Sequence, residues 1–408
     1  MRGGQRLGVE GEPLLGMIGI FSFETNRQYR DVIRQTWGHT GQPYGLHSRF
    51  VMRGLHTNAR EEEEAFGDIF FLEELEARLS RRIGPLLTLI SWMRAALAAW
   101  PRAQLIGKAD DDVWVHLPGV ALHAQSALAE LKNKHDISNM LWGVVETFHW
   151  VLNRDSPIGF SYGYGHNWRC AHRILLDKES VAENWKRPSA DVAAMGRSGA
   201  NSQASLERRG WPSEFNRSLL IGPFPFIKCP LILITRELVS SVLADQTLLN
   251  YVSTVANRPP LEKTSIPWED VFLGAALAHI RLNHTQRGLP RAAFVATAGP
   301  HFALEYDLKL SNITLIYHQL TKRPVRICLA HRWMAEHGQL PRIPPPIRCE
   351  TRDERRLYRS CSGQSWLLCS MPSTSSEGYS NLKTIDGYQA HVDRQLEKPY
   401  NCDTTLHR

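Results

Sequence analysis

The sequence predicts a mixed α/β fold built on a mainly parallel sheet. Strand-like and helix-like segments alternate along the 408 residues, no repeat of fixed period interrupts them, and three consecutive aspartates follow directly on a strand-like run. Such alternation packs a sheet between helices, and open sheets of this kind bind ligands at the carboxyl ends of their strands.

Residues 14–21 are an apolar run of strand length and read as the first strand. Thr25 or Asn26 can cap the helix that follows, where Tyr29, Val32, Ile33 and Trp37 recur at helical spacing and Gly38 offers a stop. Residues 48–52 and 68–72 read as further strands, and 83–100 as a long helix ended by Pro101. A strand at 104–107 runs straight into Lys108-Ala109-Asp110-Asp111-Asp112. Downstream, 231–235 reads as strand, 237–243 as helix, the segment after Trp268 as helix, and 313–317 as the last strand. The stretch 184–216 is polar and rich in Ser, Gly and Arg, the composition of a flexible insertion able to close over a substrate. Residues 1–12 are expected to be disordered, 13–324 to form the main domain, and 325–408 to form a tail of weak order, marked by prolines at 341–346 and serines at 370–376.

A formal charge of +7 raises nucleic acid as a partner, yet Lys and Arg are scattered and the one clear charge run, Glu61 to Glu64, is acidic. A solvated, mildly basic surface is the expectation, with no nucleic-acid partner. No stretch reaches the eighteen or so apolar residues of a membrane helix, and the first residues hold no signal core. The seven cysteines include no C-x-x-C pair, which argues against a zinc ribbon and leaves room for disulfides. Sequons at Asn216, Asn283 and Asn312 favour the secretory lumen.

Crowding Asp110, Asp111 and Asp112 at a strand end is electrostatically unfavourable without a cation. Hard oxygen ligands with no cysteine beside them suit Mg²⁺ or Mn²⁺, which keep positions open for substrate phosphates. An isolated aspartate triplet would more readily be a solvated turn; the adjoining strand and Lys108 shift the balance toward a site. Glu269-Asp270 opens an apolar helix, either as a cap or as the source of a general base. His318, at a strand end, is a structural histidine or a metal ligand.

The motifs Arg30-Asp31-Val32-Ile33-Arg34-Gln35-Thr36-Trp37-Gly38, Lys108 to Asp112, and Trp268-Glu269-Asp270-Val271-Phe272-Leu273-Gly274 together resemble the β-1,3-galactosyltransferase group, glycosyltransferase family 31. The run from Gly222 to Pro230 resembles its kinetoplastid branch of UDP-galactose- or UDP-N-acetylglucosamine-dependent transferases. The resemblance covers roughly residues 14–324 and implies a GT-A fold, a Rossmann-like sheet flanked by helices, with inverting hexosyl transfer from UDP-galactose or UDP-N-acetylglucosamine to a glycan acceptor. It implies Mn²⁺ (or Mg²⁺) held by Asp112, with His318 completing the metal site. Asp110 and Asp111 would help place ribose, sugar and metal, beside Lys108. The base falls on the Glu269-Asp270 pair, Asp270 being favoured. Arg30 and Arg34 could steady the diphosphate, though packing or ion pairing explains them as well. Relatives carry a signal anchor, so a Golgi membrane protein with a luminal catalytic domain is expected, its anchor encoded upstream of this sequence. Cys229 stands where the related branch usually has glycine, which motivates one rival reading, a glycan-binding protein without turnover. A phosphohydrolase using Asp110 and Asp112 is a second rival, and it lacks a supporting Ser, Thr or Lys constellation.

Overall fold

The computed structural model describes residues 14–54, 56–77, 79, 83–151, 158–163, 224–257, 269–285, 292–297, 302–304, 310, 313–318, 323–338, 348–353 and 365–370. The expected disordered N-terminus and the insertion at 184–216 lie outside them, as do Asn216 and Asn312, whereas Asn283 falls within a helix.

The mixed, mostly parallel sheet is assembled around β1 (Gly16–Phe21), which lies between β2 (Leu46–Arg53) and β4 (Leu105–Asp110), parallel to both. β3 (Ile69–Leu72) extends it in parallel on β2. Beyond β4 the direction changes: β8 (Phe224–Thr235) runs antiparallel between β4 and β6 (Asn139–Val151). β9 (Ala292–Ala296) then adds in parallel to β6, and β7 (Ile158–Gly163) pairs antiparallel with β6. A second, three-stranded sheet contains β5 (Val113–Val115), β10 (Phe302–Leu304) and β11 (Ile316–His318).

Alternation along β1 sorts the core into two layers, because successive strand side chains point to opposite faces. Met17, Val51 and Ile106 belong to one apolar cluster, shared with α3 (Ile83–Ala99), α5 (Arg236–Ala244), α6 (Gln246–Ala256) and α7 (Glu269–Thr285). Ile18, Ile20, Phe50 and Met52 belong to the other, shared with α1 (Arg27–Gln35), α2 (Thr57–Phe66), α4 (Leu117–His135) and α8 (Val325–His337). Gly19 admits the closest helix contact on the first face: a Cβ there would stand 2.5 Å from the Trp92 ring of α3, and the Trp92 indole N–H donates to Gly107 O at 2.8 Å. Gly143, with φ 153°, sits where the β6–β8 register shifts, and a Cβ on it would meet Leu231 O at 2.5 Å.

Two expectations are corrected. The strand expected at 104–107 continues to Asp110, so Lys108 and Asp110 are strand residues. The region after 324, expected as a tail of weak order, supplies α8, whose Ile327, Ala330 and Trp333 are buried in the second core layer. It also supplies β12 (Arg348–Asp353) and β13 (Ser365–Ser370), an antiparallel pair that docks in parallel on β9. Proline and serine content masked a helix whose apolar residues recur three and four apart.

Candidate active site

β4 delivers the carboxylates. Its register on β1 pairs Phe21 with Asp110, so Asp110 is the last strand residue, and Asp111 and Asp112 form the turn into β5. β11 lies antiparallel on β5 with His318 opposite Val113, and this pairing sets His318 beside Asp112, its Nε2 3.6 Å from Asp112 Oδ1. Asp110, Asp112 and His318 each offer one ligand atom, and the three atoms lie within 4.8 Å of one another. Asp112 Oδ1 and His318 Nδ1 are buried and have no hydrogen-bond partner. A carboxylate oxygen left buried and unpaired is costly, and a cation held between two carboxylates and an imidazole would relieve that cost at Asp112. Carboxylate oxygens with one imidazole suit Mn²⁺ or Mg²⁺, so the residues present fit a divalent metal.

Lys108, 2% exposed, bridges two elements: its Nζ lies 2.5 Å from Asp110 Oδ1 and 3.2 Å from Glu269 Oε1. The motif on β4 is thereby tied to the first turn of α7. Burial pushes Asp110 above the usual carboxylate range, Lys108 opposes the shift, and the charges of Asp112 and Glu269 add to it. Asp270, next in α7, accepts a hydrogen bond from the Val271 N–H at 2.7 Å. Asp270 lies inside the helix and the contact is with the next residue, so it is not the N2 or N3 bond of a helix cap; it occupies one oxygen of a half-buried carboxylate.

Asp111 is held from β1 and the turn that follows. Its Oδ2 accepts from Ser22 Oγ at 2.7 Å and from Asn26 Nδ2 at 2.9 Å. Burial pushes its carboxyl up to about 6, against the two donors that favour the charged form. Asn26 stands at the N-cap of α1 without a side-chain capping bond, its amide having been drawn to Asp111 instead. Behind Ser22 lies a chain of buried charge. Arg30 donates from Nη1 to Ser22 Oγ at 3.0 Å and clamps Glu62 from Nε and Nη2 at 2.8 and 2.6 Å. Arg34 reaches Glu62 at 2.6 Å and binds both oxygens of Asp68 at 2.8 Å. Burial works against charge on Arg34, and its bonds to Asp68 and Glu62 more than offset it, raising the pKa. Of the two explanations open for Arg30 and Arg34 in the sequence, the structure displays internal ion pairing.

Asp110, Asp112, His318, Lys108 and Glu269 are thus gathered at one place, with Asp111 in the same turn. Ser22, Asn26, Glu62 and Asp68 had not been singled out. Glu62 was hidden in what looked like a solvated acidic run, yet it is only 2% exposed. Two arginines four residues apart on a helix with buried apolar residues were the available signal that an acidic partner had to be buried with them.

Fold and cluster together define a class: an α/β protein with two carboxylates and an imidazole gathered at the carboxyl edge of its sheet. The Galactosyltransferase family model matches residues 28–145, a span that runs from α1 through β4 and the aspartate triplet into β6. That match supports glycosyl transfer as the activity. Among solved structures the chain is similar to the galactosyltransferase LgtC in complex with donor and acceptor sugar analogs (9% identity, 80% of this chain and 98% of that one, TM-score 0.35). It is also similar to a glycosyltransferase involved in the glycosylation of the major capsid of PBCV-1 (10% identity, 79% and 98% covered, TM-score 0.27) and to mouse xyloside xylosyltransferase 1 in its apo form (12%, 74% and 96%, TM-score 0.29). No curated protein matches the sequence.

Proposed function

We propose that the chain is a GT-A-type, metal-dependent inverting glycosyltransferase that moves galactose or N-acetylglucosamine from a UDP-sugar to a glycan hydroxyl, forming a β-1,3 linkage. The observation that carries this reading is the convergence of Asp110, Asp112 and His318, with Asp112 Oδ1 buried and unpaired, at the carboxyl edge of the sheet. Both aspartates fall inside the span matched by the galactosyltransferase family.

In this reading Asp112, Asp110 and His318 hold Mn²⁺ or Mg²⁺, which when bound would offset charge on the UDP leaving group. Asp111, fixed by Ser22 and Asn26, orients the ribose and sugar. Lys108 keeps Asp110 and Glu269 from repelling each other and joins the two halves of the site. Because Glu269 is ion-paired with Lys108, the base that takes the acceptor proton is Asp270. Arg30 and Arg34 act behind Asp111 rather than on the diphosphate. The Golgi lumen is the proposed compartment: Cys328 is disulfide-bonded, which fits an oxidising environment, and the sequons agree. No helix among the described residues is long and apolar enough to cross a membrane.

The test is product formation. The protein with Mn²⁺ and a panel of UDP-sugars should release UDP faster when a glycan acceptor is present, and Asp112→Ala should abolish both release and Mn²⁺-dependent UDP binding. Mn²⁺-dependent UDP binding that survives Asp112→Ala would overturn the metal assignment. Binding without acceptor-dependent release would favour a protein that keeps the fold and binds glycans without turnover.

A further inference from the structure

Trp37, just past the end of α1, is 1% exposed and lies in the second core layer, where its indole N–H donates to Val113 O at 2.9 Å. Val113 follows Asp112 directly and opens β5. The bond therefore falls on the peptide unit next to the proposed metal ligand.

Strand register explains why that carbonyl is open to an indole. β5 and β11 are antiparallel, and the His116 N–H donates to Leu315 O at 2.8 Å, one step beyond the Val115–Ile316 pair. Hydrogen-bonded and non-hydrogen-bonded pairs alternate along an antiparallel ladder, so Trp114–Tyr317 is a hydrogen-bonded pair and Val113–His318 is not. The Val113 carbonyl thus points away from β11. β5 is the outer strand of its sheet, and no further strand of that sheet offers this carbonyl an N–H. A buried carbonyl needs a donor, and Trp37 supplies it. The same alternation gives Val113 and His318 the closer of the two Cα spacings, about 4.5 Å, which helps to set His318 beside Asp112.

The donor is itself held in place. The Gly38 N–H closes on Ile33 O at 2.8 Å, and Thr36 Oγ donates to Val32 O at 2.7 Å. Trp37 O accepts from the Thr40 N–H at 3.1 Å and from Thr40 Oγ at 2.9 Å. Both ends of α1 consequently reach the aspartate turn: Asn26 at its start holds Asp111, and Trp37 past its end holds Val113. Asp112 stands between these two fixed points, and its Oδ1 is buried with no hydrogen-bond partner of its own.

We propose that Trp37 is a positioning residue of the ion centre: by holding the Val113 carbonyl, its indole N–H fixes the backbone from which Asp112 is presented to the metal. This inference rests on the divalent-metal reading of Asp110, Asp112 and His318. Trp37 touches neither ion nor substrate. It keeps the Asp112 carboxylate in place before the ion arrives, so that binding does not have to order the turn.

The test is titration with Mn²⁺ alone, the free ion being followed by electron paramagnetic resonance, on the wild type, Trp37→Phe and Trp142→Phe at a temperature well below all three melting transitions. Trp142 is the control: it is 0% exposed in the same core layer, and its Nε1 is buried without a hydrogen-bond partner, so the same ring contraction there loses no bond. Both variants should fold, Trp37→Phe with the lower melting temperature because it strands the Val113 carbonyl. Trp37→Phe should weaken Mn²⁺ binding by about 10- to 100-fold, the range for losing a group that orients a metal ligand, whereas Trp142→Phe should stay within about twofold of the wild type. Unchanged Mn²⁺ affinity in Trp37→Phe, or an equal loss in both variants, would overturn the proposal. So would a Trp37→Phe chain that fails to fold where Trp142→Phe folds, since the bond would then serve the fold and not the ion centre. If the wild type binds no Mn²⁺, or Asp112→Ala binds it as well as the wild type does, the metal reading itself falls and takes this inference with it.

Discussion

Glu62→Gln is the most informative perturbation of the scaffold. Glu62 is 2% exposed and receives three close guanidinium contacts, two from Arg30 at 2.8 and 2.6 Å and one from Arg34 at 2.6 Å. The amide removes the charge and keeps one acceptor oxygen while turning an N–H₂ donor toward donors, so Arg30, buried at 1% exposure, loses one of its two charge-assisted bonds to residue 62 and the charge that balanced it. Breaking one side of a buried pair costs about 3–5 kcal/mol. For a domain of this size each kcal/mol lowers the melting temperature by roughly 2–4 °C, so a fall of about 6–20 °C is expected. Differential scanning calorimetry at neutral pH measures it, and a loss under about 1 kcal/mol would refute the view that this network supports the site. The pH dependence gives an internal check. Burial alone would raise the Glu62 pKa; Arg30 and Arg34 outweigh burial and hold it below the ordinary value of 4.5. A depressed carboxylate contributes stability above its unfolded pKa and loses it as pH falls through the folded one, so wild type and Glu62→Gln should converge in acid and differ most at neutral pH. Since Arg30 also holds Ser22, Mn²⁺-dependent UDP affinity should drop in the variant even at temperatures where it is folded.

Asp270→Asn keeps the side chain's size and an oxygen for the Val271 N–H; if Asp270 is the base, turnover falls by about 10²- to 10⁴-fold with stability changed by no more than about 1 kcal/mol, and near-normal steady-state turnover would shift attention to Glu269. His116 is pulled down to about 4 by burial and then by His331, so it is neutral in the fold; stability should be complete above pH 6.5 and decline as pH falls from there toward 4, by about 1–3 kcal/mol, and urea melts of His116→Gln should lose this slope. Gly19→Ala would press a methyl onto the Trp92 ring, already fixed by its bond to Gly107, and should cost about 1–3 kcal/mol in chemical denaturation with the metal ligands untouched.

Much of the fold was legible because local pattern and burial agree in its first half. The apolar run of β1, the helical spacing of Tyr29, Val32 and Ile33, and the long apolar helix at 83–99 each bury the face their periodicity selects. Legibility ended where pairing is non-local. Nothing within β8 announces that it runs antiparallel between two strands, and nothing near 313–317 shows that the strand is displaced to Ile316–His318 by pairing with β5. The site divides the same way. Lys108 to Asp112 could be read as a ligand cluster from charge crowding, whereas Asn26 looked like a helix cap until its amide was found on Asp111. Arg30 and Arg34 were visible as residues, but their partners Glu62 and Asp68 lie more than thirty residues away, on α2 and at its exit into β3.

The antiparallel pairing of β5 with β11 also bears on how the protein is made. Synthesis proceeds from the N-terminus, and the ribosome must add some 200 residues after Asp112 before His318 emerges, on the order of 10–40 s at ordinary translation rates. Through that interval the nascent chain holds the two carboxylates without the imidazole, and α7, with the Glu269 that braces Lys108, arrives late as well. A chain stalled or cleaved ahead of β11 therefore carries the recognisable motif and only part of the proposed ion-binding centre. Tight metal retention would report that the polypeptide has been finished and folded to its far end, which makes it a measure of quality for the newly made molecule.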